Sequence, residues 1–135
     1  MTLLLASGSK TRAQILKKAK IGFKVVDHGV DEEELKISLN ELSPKDISIQ
    51  LSEIKAIKPS MKYSEDFVIG ADQVLDFNGT LINKAAHLQE ARKQILDLSG
   101  KTHKLITAIT IAKNGVVVWK HYDVAKITMR ELSEK

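Results

Sequence analysis

The chain has 135 residues and no cysteine, so it can form neither a disulfide nor a thiolate metal centre, and its chemistry must come from oxygen and nitrogen groups. Hydrophobic residues at 43% and charged residues at 28% give the balance of one folded domain over residues 1–135 rather than a disordered segment. The net charge of +4 favours anionic partners, while aromatic residues at 4% disfavour a base-stacking nucleic-acid surface.

Leu3-Leu4-Leu5 is too short to span a bilayer and has no basic flank or small-residue cleavage site, so no membrane contact and a cytoplasmic location are expected. The run instead reads as a buried strand that ends in a tight turn, Ala6-Ser7-Gly8-Ser9. A helix should follow, with Ser9 as N-cap, with Arg12, Ile15, Leu16 and Ala19 on one face, and with Gly22 just after its last turn. Residues 23–26 read as a second strand. This strand, turn, helix, strand order is an α/β signature.

Residues 31–34 form an acidic run expected in a loop. A second helix should begin with Ser43 as N-cap and Pro44 at its first position, burying Ile47, Leu51 and Ile54. Phe67-Val68-Ile69 reads as a short buried strand running into Gly70-Ala71-Asp72. Beyond it Asn78-Gly79 predicts a hairpin between strands at 74–77 and 80–82. A third helix carries Leu88, Ala91, Ile95 and Leu98 and should stop near Ser99-Gly100. Two long strands, 102–112 and 116–127, meet at Asn114-Gly115, and residues 129–135 have the composition of a helix's first turns.

Five places have the residue types for phosphate chemistry. Ser7, Ser9 and the helix start behind them would offer N–H groups and hydroxyls to a phosphate, and Arg12 a fork of donors. The same segment also fits a capped helix with a surface arginine. Asp72, read as emerging at a strand end, is the best catalytic candidate and could hold Mg²⁺ and polarise water, although a turn aspartate has the same look. Glu32 reads either as a second metal ligand or as part of a solvated loop. Lys55 and Lys84, each beside small or apolar residues, could neutralise a polyphosphate or simply be solvated. His103 invites an acid/base role, but a histidine at a strand start is more often structural.

Taken in order, the segments resemble the Maf (septum-formation inhibitor) family, whose opening motif is Leu-Ala-Ser-x-Ser-Pro-Arg-Arg. Here it is Leu5-Ala6-Ser7-Gly8-Ser9-Lys10-Thr11-Arg12. The family's Asp-Glu is Asp31-Glu32, its Lys-Ala is Lys55-Ala56, and its Gly-Ala-Asp is Gly70-Ala71-Asp72. Its Gly-Lys-Pro falls on Asn83-Lys84-Ala85, and its Leu-Ser-Gly-x-x-His on the segment from Leu98 to His103, with Thr107 downstream.

The resemblance implies an α/β fold like that of Maf and ITPase proteins, an elongated mixed sheet with flanking helices and a cleft between two lobes. It implies a nucleoside triphosphate pyrophosphatase using Mg²⁺ or Mn²⁺ that keeps modified or noncanonical nucleotides out of nucleic acid. Asp72 would be the catalytic base and a metal ligand, Glu32 would assist the metal, and Ser7, Ser9, Arg12, Lys55 and Lys84 would hold the substrate. Family members are often homodimers. Thr11 replaces the first arginine of the family's pair and is a specificity position, as is Gln73, which leans toward the members acting on 7-methyl-GTP rather than dTTP and UTP. Family members also continue past residue 135 into a Lys-Ala-Gly-x-Tyr-Gly-Ile-Gln-Gly segment, so the chain is expected to be C-terminally truncated. Two other readings are a catalytically impaired nucleotide-binding protein linked to cell division, and a nonspecific nucleic-acid binder suggested by charge alone.

Overall fold

The computed structural model describes residues 2–82 and 87–131. Lys84 lies outside them, as do the last four residues of the segment expected to begin a helix. Residues 129–131 of that segment are not helical.

The chain opens with strand β1 (Leu3–Leu5), helix α1 (Lys10–Lys18) and strand β2 (Lys24–Val25), followed by helices α2 (Glu32–Ser38) and α3 (Pro44–Lys62). Strands β3 (Phe67–Phe77) and β4 (Thr80–Ile82), helix α4 (Leu88–Leu98) and strands β5 (Thr102–Lys113) and β6 (Val116–Thr128) complete it. The strands form one mixed sheet in the order β2-β1-β3-β5-β6, with β4 on β3. β1 is parallel to β2 and β3, while β4 and β5 run antiparallel to β3, as β6 does to β5. The mixed α/β sheet expected from the sequence is found.

Both Asn-Gly turns form as read. Asn78 and Gly79 have φ of 53° and 86°, and Asn114 and Gly115 have 48° and 80°, the positive pair that a type I′ turn needs. Ser9 and Ser43 cap α1 and α3 through their hydroxyls, and Pro44 starts α3 where a missing N–H costs nothing.

Four expectations are corrected. α1 ends at Lys18, and Lys20 rather than Gly22 takes the left-handed conformation, at φ 59°. The acidic run is no loop, because Asp31 caps α2 by accepting from the Glu34 N–H and the three glutamates fill its first turn, where the helix dipole favours negative charge. The strands expected at 67–69 and 74–77 are one strand, so Asp72 sits in the middle of β3, opposite Ala108 of β5. The apolar faces read on the helices are only partly covered. Ile15 is 61% exposed, Leu88 84% and Ile95 49%, while Leu98 is the buried member of α4.

α3 lies across β3 and β5 with a stripe of small residues, Ser48, Ser52, Ala56 and Ser60, all buried. Their four-residue spacing puts them on one face of the helix. Each hydroxyl has a partner on the sheet side. Ser48 donates to the Asp72 carbonyl at 3.2 Å, Ser52 shares a hydrogen bond with Thr110 at 2.8 Å, and Ser60 accepts from the Gly115 N–H at 2.9 Å. Gly70 completes the fit, since a Cβ there would lie 2.5 Å from the Ala56 nitrogen and from the Ser52 carbonyl oxygen. Helix backbone passes directly over strand backbone at that point.

Candidate active site

One edge of β3 is paired with β5 along most of its length. The other edge pairs with β1 only through Ile69 and with β4 only from Leu75 onward. β1 leaves the sheet after Leu5, so β3 has an unpaired stretch between its two neighbours, and Asp72 lies at its centre. The sequence placed Asp72 at a strand end. The strand that ends beside it is β1, and the resulting crevice lies where α/β proteins hold ligands, beyond the carboxyl end of a parallel strand.

A cavity of 360 Å³ fills this gap. Ser7, Gly8 and Ser9 line it from the turn after β1, Arg12 from α1, Glu32 from α2, Lys55 from α3, and Ala71, Asp72 and Gln73 from β3. His28, from the loop before α2, also lines it. Seven of the residues named from the sequence, Ser7, Ser9, Arg12, Glu32, Lys55, Asp72 and Gln73, are thus brought together. Thr11 is exposed and lies outside the cavity; His103, buried on β5 at 7% exposure, lies outside it as well.

Lys55 organises the acidic side of the cavity. It is 5% exposed, its Nζ donates to Asp72 Oδ1 at 3.0 Å, and it forms an ion pair with Glu32. The close packing at Gly70 is what brings this turn of α3 over β3. Asp72 is 6% exposed, and its Oδ2 has no hydrogen-bond partner among the described residues. Burial pushes the Asp72 carboxyl above its ordinary range and Glu32 adds to this, against the opposing pull of Lys55 and Lys36. Glu32 moves the other way. Burial works to raise it, but the hydrogen bond and charge of Lys55, with Lys36 and His28, outweigh that and hold it below its ordinary range.

The opposite wall is rich in donors. Ser7 Oγ accepts from the Ser9 N–H at 3.1 Å and from Arg12 Nη1 at 3.0 Å, which leaves its own O–H to donate elsewhere. Ser9 Oγ accepts from the Arg12 N–H at 3.3 Å. The positive end of α1 therefore faces the cavity with a hydroxyl and a guanidinium held against it, opposite two carboxylates of opposed titration. This suits an anionic ligand gripped at one end and a proton acceptor at the other.

The sequence reading missed three features. His28 stood outside every motif. The small stripe of α3 had a visible signal, four small residues at four-residue spacing, and so did Gly70, which was noted only as part of a motif.

Comparison with known proteins shows the family. A family model described as Maf-like protein matches residues 2–135. A nucleoside triphosphate pyrophosphatase of Caulobacter vibrioides is 45% identical over 132 residues, covering 96% of this chain and 66% of that protein. A 7-methyl-GTP pyrophosphatase of Bartonella henselae is 38% identical over 134 residues, covering 99% of this chain and 68% of that protein. The chain therefore spans about two thirds of the length of these relatives. A HAM1 protein from Coxiella burnetii has a similar fold, with a TM-score of 0.57 at 13% identity over 95% of this chain and 72% of that one. With the family model matched from residue 2 to residue 135, the chain belongs to the Maf family.

Proposed function

We propose that this chain hydrolyses nucleoside triphosphates to the monophosphate and pyrophosphate, with Asp72 as the base and the Ser7, Ser9 and Arg12 wall holding phosphate. The observation that carries the reading is the convergence, in one cavity, of a buried carboxylate with a free oxygen and a set of phosphate donors. In-line attack of water at the α-phosphorus needs a proton acceptor on one side and neutralised, positioned phosphates on the other. Asp72 Oδ2 accepts the proton. The Ser7 hydroxyl, the Arg12 guanidinium and the start of α1 receive the phosphate oxygens, and Lys55 adds a fixed positive charge. Lys84 is kept in the phosphate-binding set on the strength of the motif alone.

A divalent cation fits this donor set. Glu32 and Asp72 face the same cavity as a pair of carboxylates, while among the described residues no group of three or more histidine, aspartate or glutamate side chains is placed to hold a metal. Glu32 and Asp72 would hold Mg²⁺ or Mn²⁺, with substrate oxygens completing the shell, as Mg²⁺ sites built on one or two carboxylates require. When bound, the ion neutralises phosphate charge. Gln73 lines the cavity and by the family resemblance leans toward 7-methyl-GTP, whereas Thr11 and Ala71 do not, so the choice of base is left to the substrate panel. The reading also keeps a cytoplasmic location and a homodimer. No described helix is long and apolar enough to cross a membrane.

Product analysis with dTTP, UTP, CTP and 7-methyl-GTP, in Mg²⁺ and in Mn²⁺, tests the reading. Equal amounts of monophosphate and pyrophosphate are expected from at least one of them. Orthophosphate with diphosphate would contradict it, and tight binding without turnover would support the nucleotide-binding reading instead.

A further inference from the structure

His28 is held in an orientation that its local role does not require. Its Nδ1 accepts the Val30 N–H at 2.9 Å, Asp27 Oδ1 accepts the Gly29 N–H at 2.9 Å, and Lys58 donates to the Gly29 carbonyl, so the turn is tied at three points. Gly29 at φ 66° permits the turn. An Asn, Asp or Ser could tie such a turn with a shorter side chain. Histidine brings a second nitrogen. With Nδ1 accepting, the proton of the neutral ring is on Nε2, which is thereby a donor. Nε2 makes no hydrogen bond among the described residues, and the ring lines the cavity that holds Ser7, Arg12 and Asp72.

We propose that His28 is a substrate-binding residue whose Nε2–H donates to a phosphate oxygen of the bound nucleotide. The inference rests on the pyrophosphatase reading for the identity of the ligand, and it adds a donor that no motif contains. It also compensates a loss. The family's first arginine is here Thr11, which is exposed and does not line the cavity, while His28 reaches the same cavity from the loop before α2.

Two substitutions separate the two ring nitrogens. Asn places a polar atom near the position of Nδ1, so His28→Asn keeps the tie to Val30 and loses the donor. Gln reaches the position of Nε2, so His28→Gln supplies an N–H there. KM for the best substrate of the panel is expected to rise roughly ten- to hundredfold in His28→Asn, the size of one hydrogen bond to a charged group, with kcat within about twofold. His28→Gln should recover most of the loss. KM unchanged in His28→Asn, or equal losses in both variants with a lowered melting temperature, would overturn the proposal in favour of a turn-holding role. Calorimetric binding of inorganic tripolyphosphate is read alongside. If wild type turns over none of the nucleotides, the pyrophosphatase reading fails separately, and His28 is still decided. Weaker tripolyphosphate binding in Asn with recovery in Gln supports it. Equal binding, or none by wild type, overturns it.

Discussion

Gly70→Ala is the most direct perturbation of the link between packing and chemistry. The new Cβ would meet the Ala56 nitrogen and the Ser52 carbonyl oxygen at 2.5 Å and the Lys55 carbonyl carbon at 2.8 Å. All three are helix backbone atoms, so no side-chain rotation relieves the contact. Ordinary contact lies near 3.5 Å, so α3 must lift from β3 by about 1 Å. Overpacking of this kind costs about 1–3 kcal/mol, and for a chain of this size Tm falls by roughly 3–5 °C per kcal/mol. Lys55 belongs to the displaced turn, so its 3.0 Å contact with Asp72 lengthens as well. A misplacement of that size costs on the order of 100-fold in turnover. Thermal melts and pyrophosphate release on the same preparation measure both effects. If the variant melted and turned over like wild type, the close helix-to-strand fit would not be what positions Lys55.

Removing Lys55 strips the cation from two carboxylates. Lys55→Met should push the Asp72 carboxyl further up, move the acid limb of kcat to higher pH and destabilise the fold by up to about 3 kcal/mol, because it leaves a buried charge unpaired. An unmoved pH profile would contradict this. Glu32 helps to raise Asp72, so in Glu32→Gln the acid limb should move to lower pH, and a limb that stays in place speaks against the coupling. Asp72 has a raised folded pKa, so the stability it contributes is present below its unfolded value and is lost as pH rises through the folded one. Asp72→Asn does not titrate, so its Tm relative to wild type should increase across that window. A constant difference would refute the raised value.

Local chemistry was legible in the sequence and tertiary partnership was not. The Asn-Gly turns and the caps at Ser9 and Ser43 are decided within a few residues and were read correctly. Asp72 was read at a strand end because Gly70-Ala71-Asp72 breaks an apolar run. Gly70 is there for α3 and not for a turn, and the polar side chain at 72 sits opposite Lys55. The acidic run was given to a loop on its charge alone, and the cap that Asp31 provides was not read. Helical periodicity located the apolar faces of α1 and α4, but exposure at Ile15 and Leu88 depends on what packs there, and periodicity carries no such information. The candidate site residues came from local chemistry and motif order, and seven of them line one cavity. His28 was missed because its role comes from a loop that only the fold brings to the cavity.

In the proposed reaction the Asp72 carboxylate oxygen that has no partner among the described residues accepts the proton of the attacking water. Pyrophosphate release by wild type and Asp72→Asn, at matched concentration and with folding checked by the melt, tests it most directly. A loss of roughly 10²–10⁴-fold in kcat with the fold retained is expected, the range of a positioned general base. Turnover within about twofold of wild type would place the base elsewhere.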